Sequence, residues 1–199
     1  MRFLYATFIC AFFLLNSNKA NAVIEARPYV GGSFTKYKTD YTENNGISYK
    51  GLIPSSYTGY GFFFGLEMSE FFNLEFGYDL ASAGSLDSHG AYGLDSVGSR
   101  LTTMRYDAIV KLPLNSFTKV LLIGGLIQGV NSTSIQGNEV DGRFKQGGYS
   151  TGYEYGFGLM RDYDDIIFTK FEYRKQVISY GGIANGAQVY SFGIGFKLA

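Results

Sequence analysis

The chain has 199 residues, enough for one domain, and its 17 basic side chains balance 17 acidic ones. That balance excludes a nucleic-acid binder, which shows a clustered basic excess. A single cysteine excludes a disulfide framework, and 27 glycines beside 17 tyrosines and 18 phenylalanines point to strands rather than helices or disorder.

The first element is a leader. Arg2 gives a positive start, Phe3 to Leu15 is an apolar run, and Ala20-Asn21-Ala22 is a small-x-small cleavage site. Thirteen apolar residues are too few to cross a bilayer as a helix, which takes about 20. Cys10 follows Ile9 in mid-run, without the small residue that a lipid-modified cysteine needs before it. Residues 1–22 are therefore read as a signal peptide cleaved before Val23. Residues 23–199 form the mature domain, with no cysteine and 15 basic against 17 acidic side chains.

The mature chain then shows strand signals of period two. Tyr29 to Lys38 is the first, and it is irregular. Gly59 to Met68 sets Tyr60, Phe62, Phe64, Leu66 and Met68 against Gly59, Gly61, Gly65 and Glu67. Asn73 to Ala81 sets Leu74, Phe76, Tyr78 and Leu80 against Glu75, Gly77 and Asp79. Thr103 to Leu112 sets Met104, Tyr106, Ala108 and Val110 against Arg105, Asp107 and Lys111. Thr118 to Val130 is the second irregular strand, its apolar run broken by Gly124-Gly125. Gly152 to Met160 sets Tyr153, Tyr155, Phe157 and Leu159 against Glu154, Gly156 and Gly158. Ile167 to Gln176 sets Ile167, Phe171 and Tyr173 against Lys170, Glu172 and Arg174. The last segment sets Tyr190, Phe192, Ile194, Phe196 and Leu198 against Ser191, Gly193, Gly195 and Lys197. That makes eight strands.

The connections alternate in length. Ser69 to Phe71, Pro113 to Ser116 and Arg161 to Asp165 are short; Thr39 to Ser56, Ser82 to Ser99 and Asn131 to Gly147 are long and polar, and Ser179 to Gly186 is intermediate. This is an up-and-down antiparallel meander, and in outer-membrane barrels the short turns are periplasmic and the long loops extracellular.

Periodicity does not say which face points outward, because a soluble barrel or sandwich would bury its aromatics. Two features favour the inverted arrangement, in addition to export without cysteine. The polar face is crowded with glycine, as the narrow interior of an eight-stranded barrel requires. It also carries both signs in near balance: Glu67, Glu75, Asp79, Asp107, Glu154 and Glu172 against Arg105, Lys111, Lys170, Arg174 and Lys197. Charges confined in a lumen must be paired. These eleven residues are the expected lumen charge network. The fold class is all-β, an eight-stranded transmembrane β-barrel in the bacterial outer membrane.

Gly152-Tyr153-Glu154-Tyr155-Gly156-Phe157-Gly158-Leu159, a short acidic turn, Phe171-Glu172-Tyr173-Arg174 and a terminal strand of alternating aromatics together resemble the small OmpA-like and opacity-type outer-membrane barrels. The likeness covers the mature chain. It implies lipid around the barrel, and periplasmic chaperones and the barrel-assembly machinery as partners in biogenesis. Such barrels usually end on an aromatic; here Phe196-Lys197-Leu198-Ala199 puts Leu198 in that place. With no tryptophan, an interfacial belt must be tyrosine and phenylalanine. The last strand signal runs to the end of the sequence, so no peptidoglycan-binding domain of the kind some relatives carry is expected.

Little in the sequence suggests chemistry. His89 is the sole histidine, in a long loop beside Asp87 and Ser88, and no catalytic signature surrounds it. One histidine and no mature cysteine leave no transition-metal site. Asp162, Asp164 and Asp165 lack an EF-hand layout and read as a polar turn. Gly59-x-Gly61 and Gly156-x-Gly158 open no helix, so they are not nucleotide loops, and Asn131-Ser132-Thr133 spells a glycosylation acceptor without a setting for one. No cofactor is expected. The reading is a non-enzymatic surface protein whose barrel anchors loops for adhesion, for interaction with a host or environmental ligand, or for envelope integrity. A small gated channel for ions or apolar solutes is the alternative, and an envelope enzyme using His89 is the third.

Overall fold

The computed structural model describes residues 26–41, 43–44, 47–48, 55–86, 94–137, 150–179 and 184–198. Among them are ten strands: β1 (Arg27–Tyr41), β2 (Glu43–Asn44), β3 (Ile47–Ser48), β4 (Ser56–Ser69), β5 (Phe72–Leu86), β6 (Leu94–Pro113), β7 (Thr118–Gly137), β8 (Ser150–Asp162), β9 (Ile167–Val177) and β10 (Ala184–Lys197). Eight of them close into an antiparallel barrel in which each strand pairs with its neighbours in sequence and β1 pairs with both β10 and β4. β2 and β3 form a separate two-stranded ladder of two residue pairs.

Side-chain alternation sets which residues enter the lumen. On β9, Phe168, Lys170, Glu172, Arg174 and Gln176 are buried, and Phe171 is exposed between them. The outward face is apolar for about nine residues per strand, the length a tilted strand needs to cross the hydrocarbon core. On β5 this band runs through Phe72, Leu74, Phe76, Tyr78 and Leu80 to Ser82, and on β8 from Leu159 to Tyr153. Among the exposed rings are Tyr60 at 75% and Phe157 at 58%. A water-soluble protein of this size could not leave such a belt uncovered. The aromatic face therefore points to lipid.

The short turns use one device twice. Asn115 Oδ1 accepts from the amides of Phe117 (3.0 Å) and Thr118 (2.8 Å). Asp164 Oδ1 accepts from Ile166 (2.7 Å) and Ile167 (2.5 Å). A short side-chain acceptor that bonds amides two and three residues on fixes the chain reversal.

Two details differ from the sequence reading. First, β5, β6 and β7 run to Leu86, from Leu94 and to Gly137, well into segments 82–99 and 131–147 that read as loops. Above the bilayer both faces of a hairpin meet water, so no hydrophobic period marks it as strand. Second, β1 and β7 look irregular because they carry bulky apolar groups inward. Tyr29 and Tyr37 on β1, and Leu121, Ile123 and Ile127 on β7, are all buried. A strand apolar on both faces loses its alternation.

Candidate functional site: layered charge in the lumen

The lumen is filled in layers, and glycine makes the filling fit. Most bulky inward side chains lie across the ladder from a glycine: Arg105 opposite Gly77, Asp79 opposite Gly61, Glu172 opposite Gly158 and Phe168 opposite Gly195. A Cβ on Gly77 would fall 2.3 Å from Arg105 Nη2, and one on Gly195 would fall 2.2 Å from the Phe168 ring. Gly124, which faces outward, has nothing within 4 Å of such a Cβ. The inward glycines are holes for neighbouring side chains.

The expected network of eleven charges separates into two clusters. The central one gathers Glu75, Asp79, Arg105, Asp107, Glu154, Lys170, Glu172 and Arg174, each no more than 4% exposed. Arg105 reaches Asp79 and Asp107, both at 2.9 Å. Lys170 lies 2.6 Å from Glu75 and 3.2 Å from Glu172. Arg174 meets Glu172 at 2.8 Å, and its remaining carboxylate approaches (Glu75, Asp107, Glu154) are longer, 3.6–3.7 Å. Neutral donors add to the shell. Tyr37 donates to Asp79 (2.7 Å), Tyr29 to Glu75 (3.1 Å), Gln176 to Glu154 (2.9 Å) and Ser191 to Glu172 (3.2 Å).

The second cluster lies at the periplasmic mouth, where Glu67, Lys111 and Lys197 join two residues that the parity argument missed, Lys119 and Asp162. Lys111 pairs with Glu67, Lys119 with Asp162 at 2.8 Å, and Lys197 with Asp162 at 3.0 Å and Glu67 at 3.6 Å. Asp162, assigned from sequence to the turn, is the last residue of β8 and belongs to this lysine ring. Its neighbour Asp164 is tied to backbone amides, which hold its carboxyl below the usual carboxylate range. Asp165 is exposed in the same turn. His89 lies outside the described residues.

Between the clusters sits a layer of Tyr29, Phe63, Ile109, Leu121, Ile123, Met160 and Phe168. Tyr29 packs edge-on against Phe168 and Phe63, with ring centroids at 5.5 and 6.3 Å. The Lys170 ammonium stands 3.9 Å over the Phe63 ring. A second apolar layer, which includes Tyr37, Tyr57, Leu101, Ile127 and Val189, covers the central cluster on the extracellular side. Phe63, Ile109, Met160 and Phe168 carried a signal that went unread: each is an apolar residue at an inward parity position.

A charged middle, apolar layers above and below, glycine holes and an aromatic belt outside describe a small membrane barrel, and the sequence pattern of the outer membrane protein beta-barrel domain matches residues 7–199. The chain belongs to that family. Its barrel sits in the bacterial outer membrane. No curated protein sequence matches the chain. Among solved structures, Neisserial surface protein A superposes with a TM-score of 0.56 at 17% identity, covering 86% of this chain and 97% of that one. Ail, the attachment invasion locus protein of Yersinia pestis, gives 0.54 at 11% identity, covering 87% and 97%. OprG of Pseudomonas aeruginosa gives 0.54 at 13%, covering 87% and 96%. At such identities the likeness is one of fold. Ail has also been crystallised with the heparin analogue sucrose octasulfate.

Proposed function

We infer that this chain is a non-enzymatic surface protein in which the barrel is an anchor and the extracellular segments make the contacts. The observation that carries this reading is the layered lumen. Eight strands enclose a space that side chains can fill, and here a buried ion-pair network lies between two apolar layers. A lumen filled in this way suits an anchor better than an open pore. Function then moves to the outside, where β5, β6 and β7 rise beyond the hydrocarbon band into long polar connections. Adhesion, capture of a host or environmental ligand, or support of the envelope is the role this arrangement suits. That Ail binds a polysulfated sugar analogue is consistent with surface recognition by barrels of this shape. The leader 1–22 exports the chain, and periplasmic chaperones and the assembly machinery deliver it.

The test uses the barrel displayed on a non-adherent Gram-negative host. Replacing residues 42–54 or 138–149 with short Gly-Ser hairpins should abolish any cell or matrix binding while heat-modifiable migration persists. Binding that survives both replacements would sink the reading.

One observation favours a second reading. The central cluster holds five carboxylates against three cations, and Oδ1 of Asp79 and of Asp107 accept no hydrogen bond among the described residues. An acidic surplus in a lumen is the lining a narrow, gated cation path would have. Steady, cation-selective conductance of the refolded protein in planar bilayers would put the channel ahead of the anchor.

A further inference from the structure

The outward face changes character at the extracellular edge of the apolar band, and it does so unevenly around the barrel. On β5, β6, β7 and β8 the first polar outward residues are Ser82, Thr102, Gln128 and Thr151, all uncharged. On β1 and β9 they are Lys36 and Lys175, with Lys38 one outward step higher. Register sharpens this asymmetry. Lys38 is directly opposite Gln188, and Gln188 directly opposite Lys175, so one lateral row across β1, β10 and β9 reads lysine, glutamine, lysine. Neighbouring strands are about 4.8 Å apart, which puts the two lysines of that row about 10 Å apart. Lys36 lies one outward step below Lys38, about 7 Å along the strand.

Both Lys36 and Lys38 are exposed, and neither makes an ion pair among the described residues. Lys175 is paired with Asp40, the next outward residue of β1, so the patch carries three cations against one carboxylate. Tyr190 donates toward Gln188 Oε1 at 3.5 Å, leaving the Gln188 amide N–H groups to point elsewhere. Beneath the cations the wall is aromatic: Tyr190 packs on Tyr173 with centroids 5.2 Å apart, and Phe34 packs on Tyr60 at 5.9 Å. The same level elsewhere carries tyrosine too. All seven outward tyrosines of the described strands (60, 78, 106, 153, 155, 173 and 190) lie in the extracellular half of the band. Phenols prefer the membrane–water boundary, so the uppermost of these, Tyr60, Tyr153 and Tyr190, mark the outer-leaflet interface.

The geometry points to a binding site for a phosphate-bearing glycolipid of the outer leaflet on the β4–β1–β10–β9 side of the barrel. Lys36, Lys38 and Lys175 supply point charges for phosphate, Gln188 supplies a neutral donor for sugar hydroxyls, and the aromatic wall below holds the acyl chains. The ligand is lipid-borne because these lysines face the membrane boundary and not the lumen or the bulk. A cation at that height gains from an anionic surface, and two together multiply the gain.

The test is retention of lipid A by the refolded full-length barrel in phosphatidylcholine vesicles, read by native mass spectrometry and by the urea midpoint. Wild type should retain diphosphorylated lipid A and unfold at higher urea with it. The K36Q/K38Q protein should fold equally well in phosphatidylcholine alone, because neither side chain enters the lumen, but hold lipid A about thirtyfold more weakly. K36R/K38R should retain it. Arg100→Gln, which removes an outward cation of β6 away from this face, should leave retention unchanged. Equal retention by wild type and K36Q/K38Q overturns the site. So does equal binding of dephosphorylated lipid A. If inorganic phosphate alone reproduces the midpoint shift, the lysines form a free-anion site, and the glycolipid assignment fails.

Discussion

The lumen holds charge at two depths, and the two clusters are built differently. The central one has five carboxylates and three cations, all 4% exposed or less, with two arginines at its heart. The periplasmic one has two carboxylates and three lysines, with side chains 0–16% exposed. Arginine suits the dry centre, because its guanidinium spreads charge over a rigid fork that several carboxylates can share. Lysine suits the mouth, because a flexible stem can turn its ammonium to water when a partner is lost. Depth therefore decides the cost of breaking a pair. Removing one member of a buried pair strands an uncompensated charge, whereas a pair at the edge is screened.

The sharpest way to break this comparison is to delete one acid from each cluster. Glu172→Ala leaves Lys170 and Arg174 short of their nearest or second carboxylate and should cost about 3–5 kcal/mol. Asp162→Asn should cost about 1 kcal/mol, since Lys119 and Lys197 can solvate. Urea midpoints of the refolded proteins in vesicles measure both. Equal shifts would mean that the centre is as wet as the mouth.

The next largest effect tests the outer face against the inner one. Phe76 is the middle of five outward residues on β5 and packs on Tyr106, with centroids 5.4 Å apart. Phe76→Arg should cost about 2–4 kcal/mol, the penalty for a cation at the bilayer midplane. A null result would place that face out of lipid.

Glycine offers a smaller contrast. Gly195→Ala would drive a methyl into the Phe168 ring and should cost about 1–3 kcal/mol. Gly124→Ala on the outside should stay within about 0.5 kcal/mol. If both are neutral in the same urea assay, the lumen is loosely packed and the layering carries little weight.

The smallest effect is a pH dependence at the periplasmic turns. Asp164 and Asn115 do the same job, so Asp164→Asn removes only the charge. The folded carboxyl is held below its ordinary value, which means its contribution is present above the unfolded carboxylate range and is lost as pH falls through the lower folded value. The stability gap between wild type and Asp164→Asn should be constant near neutral pH and close below about pH 4. A gap that persists at lower pH would show that the anion is not what stabilises the turn.

The sequence by itself determined the architecture. Period-two alternation over eight segments, glycine on the polar face and alternating connection lengths are local properties, and a closed barrel is what satisfies them in lipid. It also determined which face meets the membrane, as Tyr60, Phe62, Phe157 and Phe192 on the exposed surface show. Only the tertiary structure decided how the inward residues sort by depth. Parity says that Glu67 and Glu75 both point inward but not that a layer of Phe63, Phe168 and Tyr29 separates them. It cannot bring Lys119 of β7 to Asp162 of β8, or Lys170 to Glu75 across 95 residues. Those meetings depend on register and closure, which stagger each strand against the next, and stagger is a property of the whole ring rather than of any one strand.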